Sequence, residues 1–264
     1  MQAATMTAKP VRKPWGFRDK VMSPGAAFRA SLAAEREYVR ALRNVAREVQ
    51  RIVSVAKADP SRAGEVQRAL AAYSELLSPW AHGVATTMLR RAELKSEKAF
   101  RAAAAKVGRE LSRELTGSGD VARAFRARLA ENVKLIKSLP VEAGARVQKI
   151  VTEGLTTGGR ADVLAQAIGE TGDVTESRAV LIARTETAKA SSALTQARAQ
   201  AVGSDSYIWR TSMDGDVRSS HRAMEGKVVR WDSPPTLDGM TGHAGEFPNC
   251  RCYPEPVIPQ GVQS

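Results

Sequence analysis

The chain has two cysteines, Cys250 and Cys252, and three histidines, of which His221 and His243 fall in the same C-terminal stretch. Two thiols and two imidazoles make a donor set suited to a tetrahedral Zn²⁺ ion. Residues i and i+2 of an extended segment project to one side. A disulfide between them would be strained, which leaves free thiols or metal ligands. The spacing matches no standard zinc finger. Two readings therefore stand side by side. One is a zinc staple made by His221, His243, Cys250 and Cys252, of the kind that stabilises a small, loop-rich domain. The other is a pair of reduced, half-buried thiols with His221 in a hydrogen-bond network.

A second polar group lies near these in sequence: Arg184, Thr185 and Glu186, then Asp214, Asp216, Arg218 and His221. Arg184 is expected to pair with Asp214 or Asp216, and Glu186 to accept hydrogen bonds from Arg218 or Thr211. On this reading Arg184, Thr185, Glu186, Asp214, Arg218 and His221 form a structural polar network that specifies the fold. The catalytic alternative is a nuclease or transferase in which Glu186 and His221 serve as general acid and base. No second strong nucleophile and no phosphate-cradling glycine loop accompanies them, so enzymatic activity is not expected. Trp209 and Trp231 read as core anchors. Asp214-Gly-Asp216 reads as a turn with Asx hydrogen bonds rather than a calcium loop.

The elements that must hold these groups change character along the chain. Residues 1–22 form an irregular basic arm, broken by Pro10 and Pro14. Ser23-Pro24 opens a long amphipathic helix through Phe28, Leu32, Val39, Leu42, Val45, Val49 and Ile52, ending near Asp59-Pro60. A second helix fits Arg62 to Leu77, and a third runs from Ser78-Pro79 toward Leu115. Thr116-Gly-Ser-Gly-Asp120 is a break. The next helix carries Val121, Phe125, Leu129, Val133 and Ile136 and is expected to stop at Leu139-Pro140. Shorter helices follow at about 141–155 and 160–169. After Gly172 a helix from about Thr175 to Ala201 is followed by strands at Ser206–Thr211 and Lys227–Trp231, with a short helix between Ser219 and Met224. Cys250 to Pro256 is expected to return as a last short strand, with Cys250 and Cys252 on one side of it. The fold class is α+β: a mainly α-helical N-terminal domain with long helices (23–172), then a small α+β C-terminal domain (173–256) and a tail (257–264).

The order of short motifs in that C-terminal part is specific. It runs Leu181-Ile-Ala-Arg-Thr-Glu-Thr187, Tyr207-Ile-Trp-Arg-Thr211, Asp214-Gly-Asp-Val-Arg-Ser-Ser-His221, Gly226, and Gly245-Glu-Phe-Pro-Asn-Cys-Arg-Cys252. This string resembles the head-morphogenesis domain of phage minor head proteins of the Mu F type, over roughly Ala179 to Pro256; His243 lies outside the matched motifs. The resemblance implies a minor capsid protein acting in head morphogenesis at or near the portal vertex. Its implied partners are the portal protein and the major capsid or scaffold protein. Its implied location is the virion head, with the host cytoplasm as the place of assembly.

Charge adds an alternative. Residues 1–202 hold 34 Lys and Arg against 20 Asp and Glu, whereas residues 203–264 hold 6 against 8. A basic helical part suits packaged double-stranded DNA, which would make this a DNA-contacting internal head protein. Equally, arginine-rich helix faces can be simply solvated. No signal-peptide pattern and no apolar run near the ~20 residues of a membrane span is present, so no membrane partner is expected.

Overall fold

Ser31 caps the first long helix by accepting the Ala34 N–H, 3.3 Å away, and Asp59 ends it in an extended conformation. In this computed structural model residues 24–106, 119–158 and 160–259 are described. The expected basic arm, most of the 116–120 break and the last residues of the tail lie outside them. A 3₁₀ turn at Pro24–Phe28 precedes α1 (Leu32–Ala58), so the helix is capped by Ser31 and begins eight residues later than a start at Ser23-Pro24 would place it. Then come α2 (Ala63–Leu76), α3 (Ser78–Lys106), α4 (Gly119–Thr157) and α5 (Ala161–Ala201).

Two expected breaks are absent. α4 runs through Pro140, because Ile136, Leu139, Ala143 and Val147 form one buried stripe across it. Burial of that stripe outweighs the one backbone hydrogen bond that proline removes. α5 likewise runs unbroken through Gly172, where the sequence changes character. The reason lies in packing. Ile168, Thr171, Gly172, Thr175, Ala179, Ile182 and Ala183 are buried at helical spacing along α5, which packs chiefly on α1 and α4. At Gly172 the Gln50 side chain of α1 lies where a Cβ would stand, so the glycine marks a close approach of two helices and not a chain break.

The remainder is small and mostly irregular. β1 (Ser206–Arg210) sits at the centre of a three-stranded antiparallel sheet between β2 (Val228–Arg230) and β5 (Tyr253–Pro256). The short helix α6 (Ser219–Arg222) lies between β1 and β2, and the hairpin β3 (Thr236–Leu237) and β4 (Met240–Thr241) follows. Tyr207, Trp209, Trp231, Phe247, Cys250, Cys252 and Tyr253 share one buried cluster with Phe28 and with Phe100 of α3. The two phenylalanines meet edge to face at 5.2 Å. The helical part thus supplies part of the C-terminal core, which is why Trp209 and Trp231 are anchors as expected.

Candidate metal centre and its arginine pocket

Three consecutive residues of α5 point in three directions, as the ~100° step of a helix requires. Arg184 reaches back to Glu35 of α1, Nε to Oε1 3.5 Å. Thr185 Oγ1 accepts the backbone N–H of Asn249 at 2.9 Å. Glu186 turns into the helical core, 2 % exposed. There its Oε2 lies 3.4 Å from Asn132 Nδ2 and 3.7 Å from Arg128 Nη1, and its Oε1 is 3.3 Å from Lys189 Nζ. Asn132 also accepts the Tyr38 hydroxyl at 2.9 Å. Burial, and then the charge of Glu186, push the Tyr38 phenol up from its ordinary pKa.

The expected polar network therefore divides. Arg184 pairs with Glu35 and not with Asp214 or Asp216; Asp214 faces Arg251 at 3.8 Å. Glu186 receives nothing from Arg218 or Thr211. Thr211 gives both its N–H (2.6 Å) and its hydroxyl (2.7 Å) to Glu225, and Arg218 donates to the Pro248 carbonyl at 2.9 Å. The cause is direction: the face of α5 that carries Glu186 is covered by α1 and α4, not by strands. Asp214-Gly-Asp216 is the expected Asx turn, with Asp216 N–H on Asp214 Oδ1 at 3.3 Å.

Around Cys250 the chain is built by turns. Phe247-Pro248-Asn249-Cys250 closes with a 3.1 Å bond from Cys250 N–H to the Phe247 carbonyl, and Asn249 has φ +56°. Proline second and asparagine third suit a turn of type II. Gly245, at φ +92°, brings its Cα so near the Cys252 carbonyl that a Cβ there would sit 3.0 Å from that oxygen. Cys250 and Cys252 lie in the loop before β5 rather than on a strand, and the Cys250 sulfur accepts the Cys252 N–H at 3.3 Å. Their side chains converge all the same.

His221, on α6 and 2 % exposed, completes the group. Its Nδ1 is 3.4 Å from Cys250 Sγ and 3.6 Å from Cys252 Sγ. With Zn–S near 2.3 Å and Zn–N near 2.05 Å, tetrahedral geometry requires an S···N edge of about 3.6 Å. The three donor atoms all lie within 4.8 Å of one another, and both cysteines are free thiols. A hydrogen bond with Cys252 holds the Cys250 thiol well below its usual value, at about 6, against the opposing effect of burial; His221 adds to the lowering. The same hydrogen bond, with burial, pushes Cys252 up.

The His221 ring is set by its surroundings. Trp209 and Phe247 meet it edge-on, with centroids 5.7 and 4.8 Å away. Its far nitrogen, Nε2, lies 3.8 Å from Asp238 Oδ2. Asp238 and Gly239 are the two residues joining β3 and β4, both at positive φ (52° and 76°), as a tight two-residue hairpin demands. At that distance Nε2 has no hydrogen-bond partner among the described residues; the nearby carboxylate favours a proton on Nε2, the tautomer that leaves Nδ1 free to bind a cation. Asp238 was missed by sequence reasoning, although the Asp-Gly pair was a readable turn signal.

His243 does not join. It contacts the Tyr207 hydroxyl through Nδ1 at 3.2 Å and packs edge-on against Tyr207 and Trp231. Burial lowers its pKa. Of the four residues expected to hold zinc, the structure brings together His221, Cys250 and Cys252. These three also line a pocket of about 140 Å³ with Arg184, Arg218, Arg251, Asp214 and Asp216. Glu186 is not on its wall, so the Glu186–His221 pair of the catalytic alternative is not assembled.

Residues 145–254 match the family described as Phage Mu protein F like protein. The match begins within α4 and ends in β5, so it includes all of α5 as well as His221, Cys250 and Cys252. An uncharacterised protein of Haemophilus influenzae is 36% identical over 156 residues, which are 59% of this chain. The matched part is 34% of that relative's length, so the chain spans about a third of it. No solved structure matches. Among the described residues, no helix is long and apolar enough to cross a membrane.

Proposed function

We propose that the protein is a minor head protein that acts in head morphogenesis at the portal vertex, with portal and capsid or scaffold proteins as its partners. The observation that carries this reading is the match of residues 145–254 to the Mu F family. The architecture supports it. α5 holds the family's motif and is keyed to α1 by Arg184–Glu35 and to α4 by Glu186, so the helical part is a rigid extension of the family domain. Such an extension can carry docking surfaces to a fixed distance and angle. Co-expression with the portal protein of the same phage, followed by purification of the ring, tests it. A ring that carries none of this chain overturns the vertex placement.

A DNA-contacting role has its own observation. Arg36, Arg40, Arg43 and Arg47 are exposed along one face of α1. Such a stripe can neutralise successive phosphates. Duplex binding whose affinity falls steeply with salt supports this role; affinity independent of salt removes it.

For the metal centre the ion that suits two cysteines and a histidine is Zn²⁺. Its role on this reading is to tie α6 to the loop before β5. Metal analysis of protein purified without chelators tests this, and a zinc content near zero overturns it.

A further inference from the structure

We propose that the centre is an open one: the fourth coordination position of the ion, together with Arg218 and its neighbours, takes a phosphate-class oxyanion from the adjoining pocket. This rests on the metal reading above.

The ligand count comes first. Among the described residues no fourth His, Cys, Asp or Glu atom joins His221, Cys250 and Cys252. His243 is committed to Tyr207. A tetrahedral ion held by three side chains keeps a place for an exogenous ligand, which is the arrangement of reactive rather than closed zinc sites. All three ligand residues are on the wall of the pocket, so that place is reached from it.

The pocket's other residues select what enters. Three guanidiniums, those of Arg184, Arg218 and Arg251, share the wall with two carboxylates, Asp214 and Asp216. Arg251 is near Asp214 (3.8 Å) and Arg184 is near Glu35 (3.5 Å). Arg218 spends one nitrogen on the Pro248 carbonyl and has no carboxylate partner among the described residues. A planar guanidinium beside an open cationic ligand position matches an oxyanion that can bond to both. The volume, about 140 Å³, equals roughly four to five waters of liquid and admits a phosphate group.

A longer phosphate-bearing chain has a way in. Arg184 and Arg251 also belong to a second, larger groove, about 580 Å³, whose other wall is α1 with Arg36, Arg40 and Arg43. A free phosphate ion and a phosphate on a nucleic-acid strand would use the same atoms in the inner pocket. Only the strand would use the α1 arginines.

The full chain loaded with Co²⁺ tests this by absorption. The metal reading expects thiolate-to-cobalt bands and tetrahedral d–d bands. The anion proposal expects the d–d bands to shift and saturate on titration with inorganic phosphate and with a 5′-phosphorylated DNA oligonucleotide. Arg218→Gln, and separately Arg251→Gln, should weaken the phosphate titration about ten-fold while leaving the anion-free spectrum unchanged. An oligonucleotide that saturates earlier than phosphate, with the advantage lost in Arg40→Gln, identifies a nucleic-acid phosphate; equal titrations identify the free ion. Cobalt bands that neither titrant moves overturn the anion proposal and leave the metal centre standing. Absence of cobalt bands overturns both.

Discussion

Thr185, in the middle of α5, accepts the backbone N–H of Asn249, the residue immediately before Cys250, at 2.9 Å. One hydroxyl thus fixes the loop that carries Cys250 to the longest helix of the described chain. Asn249 stands at φ +56°, so its N–H is aimed by a turn with little freedom to reorient.

Thr185→Val keeps the shape and removes the acceptor. It should cost about 1 kcal/mol, the usual net worth of a partly buried hydrogen bond. Metal affinity should fall as well, because the loop carrying Cys250 loses its tether. Thr185→Ser should recover both. Urea unfolding and a competition titration with a chromophoric chelator measure the two effects; a valine variant equal to the parent in each would show that the contact holds nothing.

Glu186 gathers Asn132, Arg128 and Lys189 about one buried carboxylate. Glu186→Ala leaves these groups facing an apolar gap and should destabilise by about 2 kcal/mol, less than a fully buried pair because both cations are partly exposed. Metal content should stay unchanged, since the site lies elsewhere. Loss of metal in a folded Glu186→Ala protein would contradict the separation of the two groups.

Cys252→Ser and His221→Asn should each abolish stoichiometric metal, whereas His243→Gln should retain it. Asp238→Asn preserves the positive-φ turn and removes the carboxylate behind His221, so metal affinity should fall by about ten- to a hundred-fold. An Asp238→Asn protein with unaltered affinity would mean that the 3.8 Å separation is too long to orient the ring.

Burial holds His243 below its ordinary value of 6.5, with Glu246 and a hydrogen bond to the Trp231 backbone opposing. The folded state therefore resists a proton that the unfolded chain accepts. The stability it contributes is complete above about pH 6.5 and declines as the pH falls from there toward the folded value. Thermal unfolding of metal-free protein from about pH 7 to 5 should show this decline, and His243→Gln should flatten it. An unchanged slope in the variant would assign the decline to other groups.

Much of the architecture was legible because it is local. The apolar stripe of α1, its end at Asp59, the Gly203 end of α5 and the strands around Trp209 and Val229 all follow from spacing and turn chemistry within a few residues. The order of the C-terminal motifs, with their Arg-Thr-Glu and Asn-Cys-Arg-Cys strings, carried the resemblance to the Mu F type. The sequence also offered His221, His243, Cys250 and Cys252 as candidate donors, of which all but His243 converge.

What the sequence left open was direction across distance. Pro140 and Gly172 read as breaks because a helix's own residues oppose continuity there, and only the burial of Ile136, Leu139, Ala143 and Thr175 against neighbouring helices reverses that. Glu186 and His221 are both polar members of one motif string, yet helix geometry sends the first into the α1–α4 core. Turns at Asn249 and Asp238 bring the second to the cysteines and a carboxylate. Partner choice among Arg184, Asp214, Arg218 and His243 depends on which faces the tertiary packing covers, a long-range quantity that no local spacing encodes.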